Sequence, residues 1–267
     1  MDARKKKISI IVFAAVFVLI IVALFLTSAQ PKTESIKEVM KDAVLHESNK
    51  INLLGLKDVN PGLVSAFTVT GIITVFAIIV RIFVIPKFKI IPGKFQLLLE
   101  QGVWLFQGLA KDNSPHRTNF LSAYIFTAGA YIFIGTIFEL FGIQAITTEG
   151  IAIALPAPLA DINGAIAMGF LSYGVILAAG LITNGLKGMG QALKDFSLPI
   201  SMSFRLFGAL LSGALVTELV YYYFSLSFVL PVIVGVLFTL LHALIQAYVL
   251  IMLTSLFYGE VTEPHNK

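Results

Sequence analysis

The sequence predicts an all-α polytopic membrane protein: five core transmembrane helices, the last two forming a long tilted hairpin, preceded by one N-terminal span or a signal peptide. Two observations predict it. Apolar residues make up 57% of the chain and charged residues only 13%, against roughly 45–50% and about 25% in an average soluble domain. A chain so poor in charge cannot cover its own core with a charged skin. Six stretches also reach the ~20 mostly apolar residues that a bilayer crossing requires: Ile8–Thr27, Leu63–Ile85, Asn119–Phe141, Ile162–Thr183, Ile200–Phe224 and Phe228–Phe257. In lipid each must be helical, because only a helix satisfies its own backbone polar groups.

The first stretch admits two readings. A basic start, an apolar run and the small residues Thr27-Ser28-Ala29 fit a cleaved signal peptide; the run, longer than the usual 7–15-residue signal core, favours a retained span. Residues 1–29 form this unit and 30–62 an extracytoplasmic segment. The membrane domain covers 63–258, and 259–267 is a cytoplasmic tail. Gln30–Asn60 is the least hydrophobic region and suits a short external helix or a mobile strap.

Lys and Arg mark cytoplasmic connections. Arg4, Lys5, Lys6 and Lys7 precede the first stretch. Lys87, Lys89, Lys94, Lys111 and Arg117 follow the second, and Lys187 and Lys194 follow the fourth. Gly142–Asp161 and Ser225–Ser227 carry neither residue, so they are external and both termini are cytoplasmic. Ser28–Gly62 has five lysines on the predicted outside, but five acids balance them. The last stretch exceeds a straight crossing and is expected to tilt or protrude.

Composition also excludes classes of function. With no cysteine there is no disulfide, iron–sulfur ligation or thiol chemistry. There is no P-loop, dinucleotide fingerprint or His/carboxylate metal motif, so no cofactor or metal is expected, and any energy from ATP enters through another chain. The net charge of +4 follows from the topology and calls for no nucleic acid.

The informative residues are ionisable groups inside the spans, where burial is costly and function is the default reading. They are Arg81, Glu139, Arg205, Glu218 and His242. Arg81 is near a cytoplasmic end and can snorkel. Glu139 lies near the outer end of its span. Arg205 cannot shed its charge, and no carboxylate lies within a turn or so of it on its own helix. At ~100° per residue Ser201, Gly208, Ala209 and Ser212 share its face. That leaves a smooth strip around one fixed cation, open to close approach by another helix. Glu218 points largely away from that face.

Two segments carry a specific resemblance. Ser201-Met202-Ser203-Phe204-Arg205-Leu206-Phe207-Gly208 resembles the arginine segment of subunit a of rotary F-type ATP synthases, and Leu244–Thr254, with Gln246, resembles that family's final-helix signature. Pro92-Gly93-Lys94-Phe95-Gln96 with Glu100, and Pro158–Asn163, resemble two further segments in the right order. The resemblance implies a bacterial-type plasma-membrane subunit that moves protons, or Na⁺, past a rotating proteolipid ring (subunit c), with a peripheral stalk (subunit b) and the other synthase subunits as partners. It implies that Arg205 faces the ring's mid-membrane carboxylates. Gln246 would hold Arg205 by hydrogen bonding, Gln191 and Asp195 would line a cytoplasmic path, and Glu139, Asp161 and Asn163 an external one.

The sequence departs from the family pattern at three places. Ala209 stands where Asn is common after the Arg-Leu-Phe-Gly run, Ala214 where an acid or histidine is common, and Thr239 where a His or Glu is common. Glu218 and His242 lie one turn from the last two positions, on similar faces, and are candidate replacements on the ion path. If Arg205 is level with Gln246, His242 is level with Ala209 and Glu218 lies ~13 Å further along the axis. Two other classes stay open: an autonomous secondary transporter, which would show internal repeats and helices broken at mid-membrane, and a structural scaffold, which has no need of Arg205.

Overall fold

A computed structural model describes residues 12–13, 15–19, 22, 35–37, 41, 50–53, 56–148, 150, 152–222 and 230–264. Most of the first predicted span, Ile8–Thr27, and most of Gln30–Asn60 lie outside these residues. Among the described residues, five helices are long and apolar enough to cross a membrane: Pro61–Lys87, Thr118–Phe141, Ile162–Lys194, Ser197–Val220 and Ile233–Thr262. These are the five core spans that the sequence predicts.

The chain enters through a short antiparallel pair, β1 (Ile51–Leu53) and β2 (Leu56–Val59). This is strand where the sequence suggested a helix or a strap. Ile51 and Val59 are buried while Lys57 and Asp58 are exposed, so one face packs down on the bundle. Helix α1 (Pro61–Ile79) follows at once, because Asn60 caps it by accepting a hydrogen bond from the Gly62 amide at 2.8 Å and Pro61 is preset for the first turn. Its inner end widens into a π turn (Val80–Val84) and a 3₁₀ turn (Ile85–Lys87). Pro86 lacks an N–H and its ring would strike the carbonyl four residues back, and the wider turn relieves this. Helix α2 (Lys94–Asn113) then runs with Phe95, Leu98, Trp104 and Leu105 exposed.

Helix α3 (Thr118–Phe138) crosses back and ends in a 3₁₀ turn, Glu139–Phe141. A second antiparallel pair, β3 (Gln144–Ile146) with β4 (Ala152–Ala154), lies in the lysine-free connection between α3 and the next long helix. The Thr148 amide donates to the Lys50 carbonyl at 2.9 Å, tying this connection to the chain just before β1.

Helix α4 (Ile162–Lys194) reverses within itself. Gly185 takes φ 63°, ψ −145°, a conformation open to glycine. Beyond it the chain doubles back: a methyl group on Gly180 would stand 2.8 Å from the Gly188 carbonyl, and the Tyr173 hydroxyl donates to the Ala192 carbonyl at 3.1 Å. Helix α5 (Ser197–Tyr222) extends this return limb. At Gly169 a methyl group would stand 2.9 Å from the Pro199 carbonyl, so α5 can lie against α4 only because that position is bare. The fourth crossing thus turns at Gly185, two residues past its predicted end at Thr183, and the connection that carries Lys187 and Lys194 is itself helical.

Helix α6 (Leu230–Thr262) runs antiparallel to α3, from Gly235 beside Leu140 to Thr262 hydrogen-bonded to Ser114 at 3.1 Å. Helices α3 to α6 share one core that includes Leu121, Ile125, Ile176, Met202, Leu206 and Tyr258. A helix of 33 residues is ~50 Å long. To stay within a hydrocarbon layer of ~30 Å it must tilt by roughly 50°. The exposed Val75, Phe76, Ile79 and Ile82 of the first span, and Leu237, Leu241 and Leu244 of α6, form an apolar surface far larger than water tolerates.

Candidate functional site

Helix α5 has two unlike faces. Met202, Leu206 and Leu210 are buried in the core. Ser201, Phe204, Arg205, Gly208 and Ser212 are exposed, with Ala209 half-buried beside them. Side chains at i, i+4 and i+8 share a helix face, so burying 202, 206 and 210 turns 201, 205, 208 and 212 outward. Among the described residues Arg205 makes no hydrogen bond or ion pair. A methyl group on Gly208 would meet nothing of this chain within 4 Å.

The α5–α6 register differs from the one assumed at the outset. A methyl group on Gly213 would touch His242 Nδ1 at 3.9 Å, so His242 is level with Gly213 rather than Ala209. Counting along antiparallel helices then puts Gln246 level with Ala209, about 6 Å along the axis from Arg205. No hydrogen bond joins Gln246 to Arg205 among the described residues. Gln246 is buried, and its Oε1 has no hydrogen-bond partner among the described residues. The same shift brings Glu218 to ~8 Å from His242 along the axis instead of ~13 Å. His242 is half-buried and packs on Phe238, ring centroids 5.7 Å apart.

At the outer end the structure gathers residues from distant segments into two groups. The Glu139 carboxylate accepts a hydrogen bond from the Ala157 amide and lies close enough to Glu218 to feel its charge. Asp161 and Asn163, at the start of α4, instead line a cleft of about 350 Å³ with Gly62, Tyr131 and Met168, between α1, α3 and α4. The Asn163 amide donates to Asp161 Oδ1 at 3.4 Å. Glu139 and Glu218 do not line that cleft.

At the inner end Gln191 and Asp195 lie on the return limb beyond Gly185. Gln191 Nε2 donates to Glu260 Oε1 at 3.4 Å, and Asn184 Nδ2 donates to the Val261 and Glu263 carbonyls at 2.9 Å each. Asp195 ends α4, its carbonyl accepting from the Leu198 amide at 2.9 Å. Glu260 is a polar neighbour absent from the sequence-based candidates, because it falls three residues beyond the last apolar run, Phe228–Phe257. No group of three or more His, Cys, Asp or Glu side chains that could hold a metal occurs among the described residues.

Residues 63–259 match the family described as ATP synthase A chain. A protein named ATP synthase subunit a from Cereibacter sphaeroides is 25% identical over 180 residues, covering 63% of this chain and 69% of that protein. Proteins of the same name from Histophilus somni and Haemophilus ducreyi are each 27% identical, over 203 and 195 residues, covering 61% of this chain and 74% of theirs.

Proposed function

The chain belongs to the ATP synthase A chain family, and from that premise we propose that it is the stator ion channel of the synthase's membrane sector, with Arg205 as the fixed charge that couples ion flow to rotation. As a multi-pass member of this family it is a component of the membrane sector of an ATP synthase. The proposed partners are a proteolipid ring facing α5 and α6, a peripheral stalk and the remaining synthase subunits. The proposed site is a bacterial plasma membrane, and the coupling ion is H⁺ or Na⁺.

One observation carries the reading. A side chain that cannot neutralise itself stands on the exposed face of a helix whose other face is locked in the core, among Ser201, Gly208 and Ser212, without a partner among the described residues. An unpaired guanidinium in lipid is costly, so its partner comes from another subunit. A ring carboxylate meets that need. The cation favours the ionised carboxylate, so a protonated carboxylate arriving at Arg205 gives up its proton. The same charge repels a free cation and blocks direct passage between the two paths.

The external path runs by Asp161 and Asn163 in the cleft and by the Glu139–Glu218 pair, with His242 one register step inward. The cytoplasmic path runs by Gln191 and Asp195. Ser201 borders the ring side of the arginine. Gln246 offers a buried, unpartnered acceptor about one turn away, within reach of one of the five guanidinium donors if Arg205 swings inward. Arg205→Ala should abolish ion-driven ATP synthesis in vesicles and open a passive ion flux through the assembled ring sector. Normal coupled synthesis in that variant would refute the proposal.

A further inference from the structure

The elbow between α1 and α2 encloses a cleft of about 520 Å³ that the proposed ion path does not use. Three lysines line it, Lys87, Lys89 and Lys94, together with the apolar Phe83, Val84 and Phe95. None of the three lysines makes an ion pair among the described residues, and no acidic residue lines the cleft. Gln96 sets the shape of the elbow. Its Oε1 accepts from the Lys89 amide at 3.0 Å and its Nε2 donates to the Lys89 carbonyl at 2.9 Å, so the side chain pairs with the backbone as a strand would. Glu100 holds Gln96 in turn, Oε1 accepting from Nε2 at 2.7 Å. The clamp keeps Lys89 across from Lys94 and the open first turn of α2, where Gly93 supplies no side-chain cap.

The clamp fixes the backbone at Lys89, and the three ammonium groups leave the cleft with positive charge that no lining residue balances. The surroundings say what carries the counter-charge. Ile90 and Ile91 at the tip of the elbow stand almost wholly exposed, and Leu98 and Trp104 on α2 are exposed over most of their surface. Such side chains belong at the acyl–headgroup boundary, where an amphipathic helix lies flat. The cleft therefore combines basic and apolar lining residues and opens beside exposed apolar side chains. We propose that it binds the headgroup of an anionic phospholipid, the three ammonium groups around the phosphate and the acyl chains along Phe83 and Phe95. Basic pockets between membrane helices take up anionic lipid in this manner.

The test uses the assembled membrane sector, reconstituted in symmetric vesicles so that the direction of insertion does not matter. Photoactivatable phosphatidylglycerol and phosphatidylcholine are compared as probes, and the labelled peptide is mapped by mass spectrometry. Label from phosphatidylglycerol should fall on 83–96, with little from phosphatidylcholine. The triple variant Lys87→Gln/Lys89→Gln/Lys94→Gln should lower that label at least about tenfold, since each lysine near an anionic surface contributes a factor of roughly five. Lys111→Gln, at the far end of α2, should leave it unchanged. Excess inorganic phosphate should not compete; competition would mean a site for the free anion and would overturn the lipid assignment. Equal label from both probes, unchanged label in the triple variant, or a polypeptide cross-linked at 83–96 in place of lipid would each overturn it too. If the triple variant fails to assemble, the two-probe comparison on the unaltered sector decides alone. None of these outcomes depends on Arg205, so the lipid site and the coupling mechanism stand or fall separately.

Discussion

Two glycines show how differently the two faces of α5 are built. Gly169 of α4 sits under the buried face, where a methyl group would stand 2.9 Å from the Pro199 carbonyl; Gly208 sits on the exposed face, where it would meet nothing of this chain within 4 Å. The first is bare because a neighbour in the same chain is already there. On the proposed reading the second is bare because a neighbour from another subunit must slide past it. Met202, Leu206 and Leu210 therefore report on folding, and Ser201, Arg205, Gly208 and Ser212 on the function.

Substitutions on the two faces should separate accordingly. The largest effect belongs to Arg205: Arg205→Lys should retain little coupled synthesis, because a desolvated ammonium can lose its proton and cannot present the planar fork. Flux and ATP synthesis measured on the same vesicles would show it, and full coupling with lysine would break the contrast between the faces. Next comes the glycine pair. Gly169→Leu should deplete the chain from membranes by wedging α5 off α4. Gly208→Leu should leave its amount normal and stop synthesis. Immunoblots and synthesis rates distinguish the two, and a folding defect from Gly208→Leu would contradict the exposed-face reading.

A smaller loss is expected from Met202→Ala, a cavity worth about 2–5 kcal/mol in a packed core. It should lower the thermal inactivation temperature of the purified sector while synthesis per assembled complex stays near normal. The smallest concerns Glu139 and Glu218. Glu139→Gln and Glu218→Gln should each slow synthesis, and the double variant should slow it by less than the product of the two. Groups that interact directly couple by about 0.5–3 kcal/mol. Strict additivity would mean that they act on separate paths.

Much of this architecture was legible in the sequence. The five spans and their order follow from apolar runs bounded by charge, since a bilayer imposes one length on every crossing. The outward face of α5 was legible too, because helical periodicity groups Ser201, Gly208 and Ser212 with Arg205 wherever the helix packs. The end of the fourth crossing was legible as well, because its apolar run stops at Thr183 just before Asn184 and Gly185. That the chain stays helical through Lys187 and Lys194 was not, because the glycines at 185, 188 and 190 read as a connection rather than a helix. The α5–α6 register was set at the outset by pairing Arg205 with Gln246. In the structure the His242 imidazole reaches Gly213 instead, its Nδ1 3.9 Å from where a methyl group on that residue would stand. The Glu139–Glu218 approach joins residues 79 positions apart in sequence and follows only from the way α3 ends beside the α5–α6 hairpin. Short strands such as β1 and β2 escape pattern reading because three or four residues hold too few alternations to register.

The central claim is that the exposed face of α5 is the track past which a ring moves, and disulfide cross-linking tests it most directly. The chain has no cysteine of its own, so the background is clean. Single cysteines would replace Ser201, Gly208, Ser212, Met202 and Leu210, each paired with a cysteine on the ring-facing surface of the proteolipid in the assembled synthase. Oxidation should cross-link Ser201→Cys, Gly208→Cys and Ser212→Cys to the proteolipid and block rotation until the bond is reduced, while Met202→Cys and Leu210→Cys form no such link. Cross-links from the buried positions, or none from the exposed ones, would contradict the account.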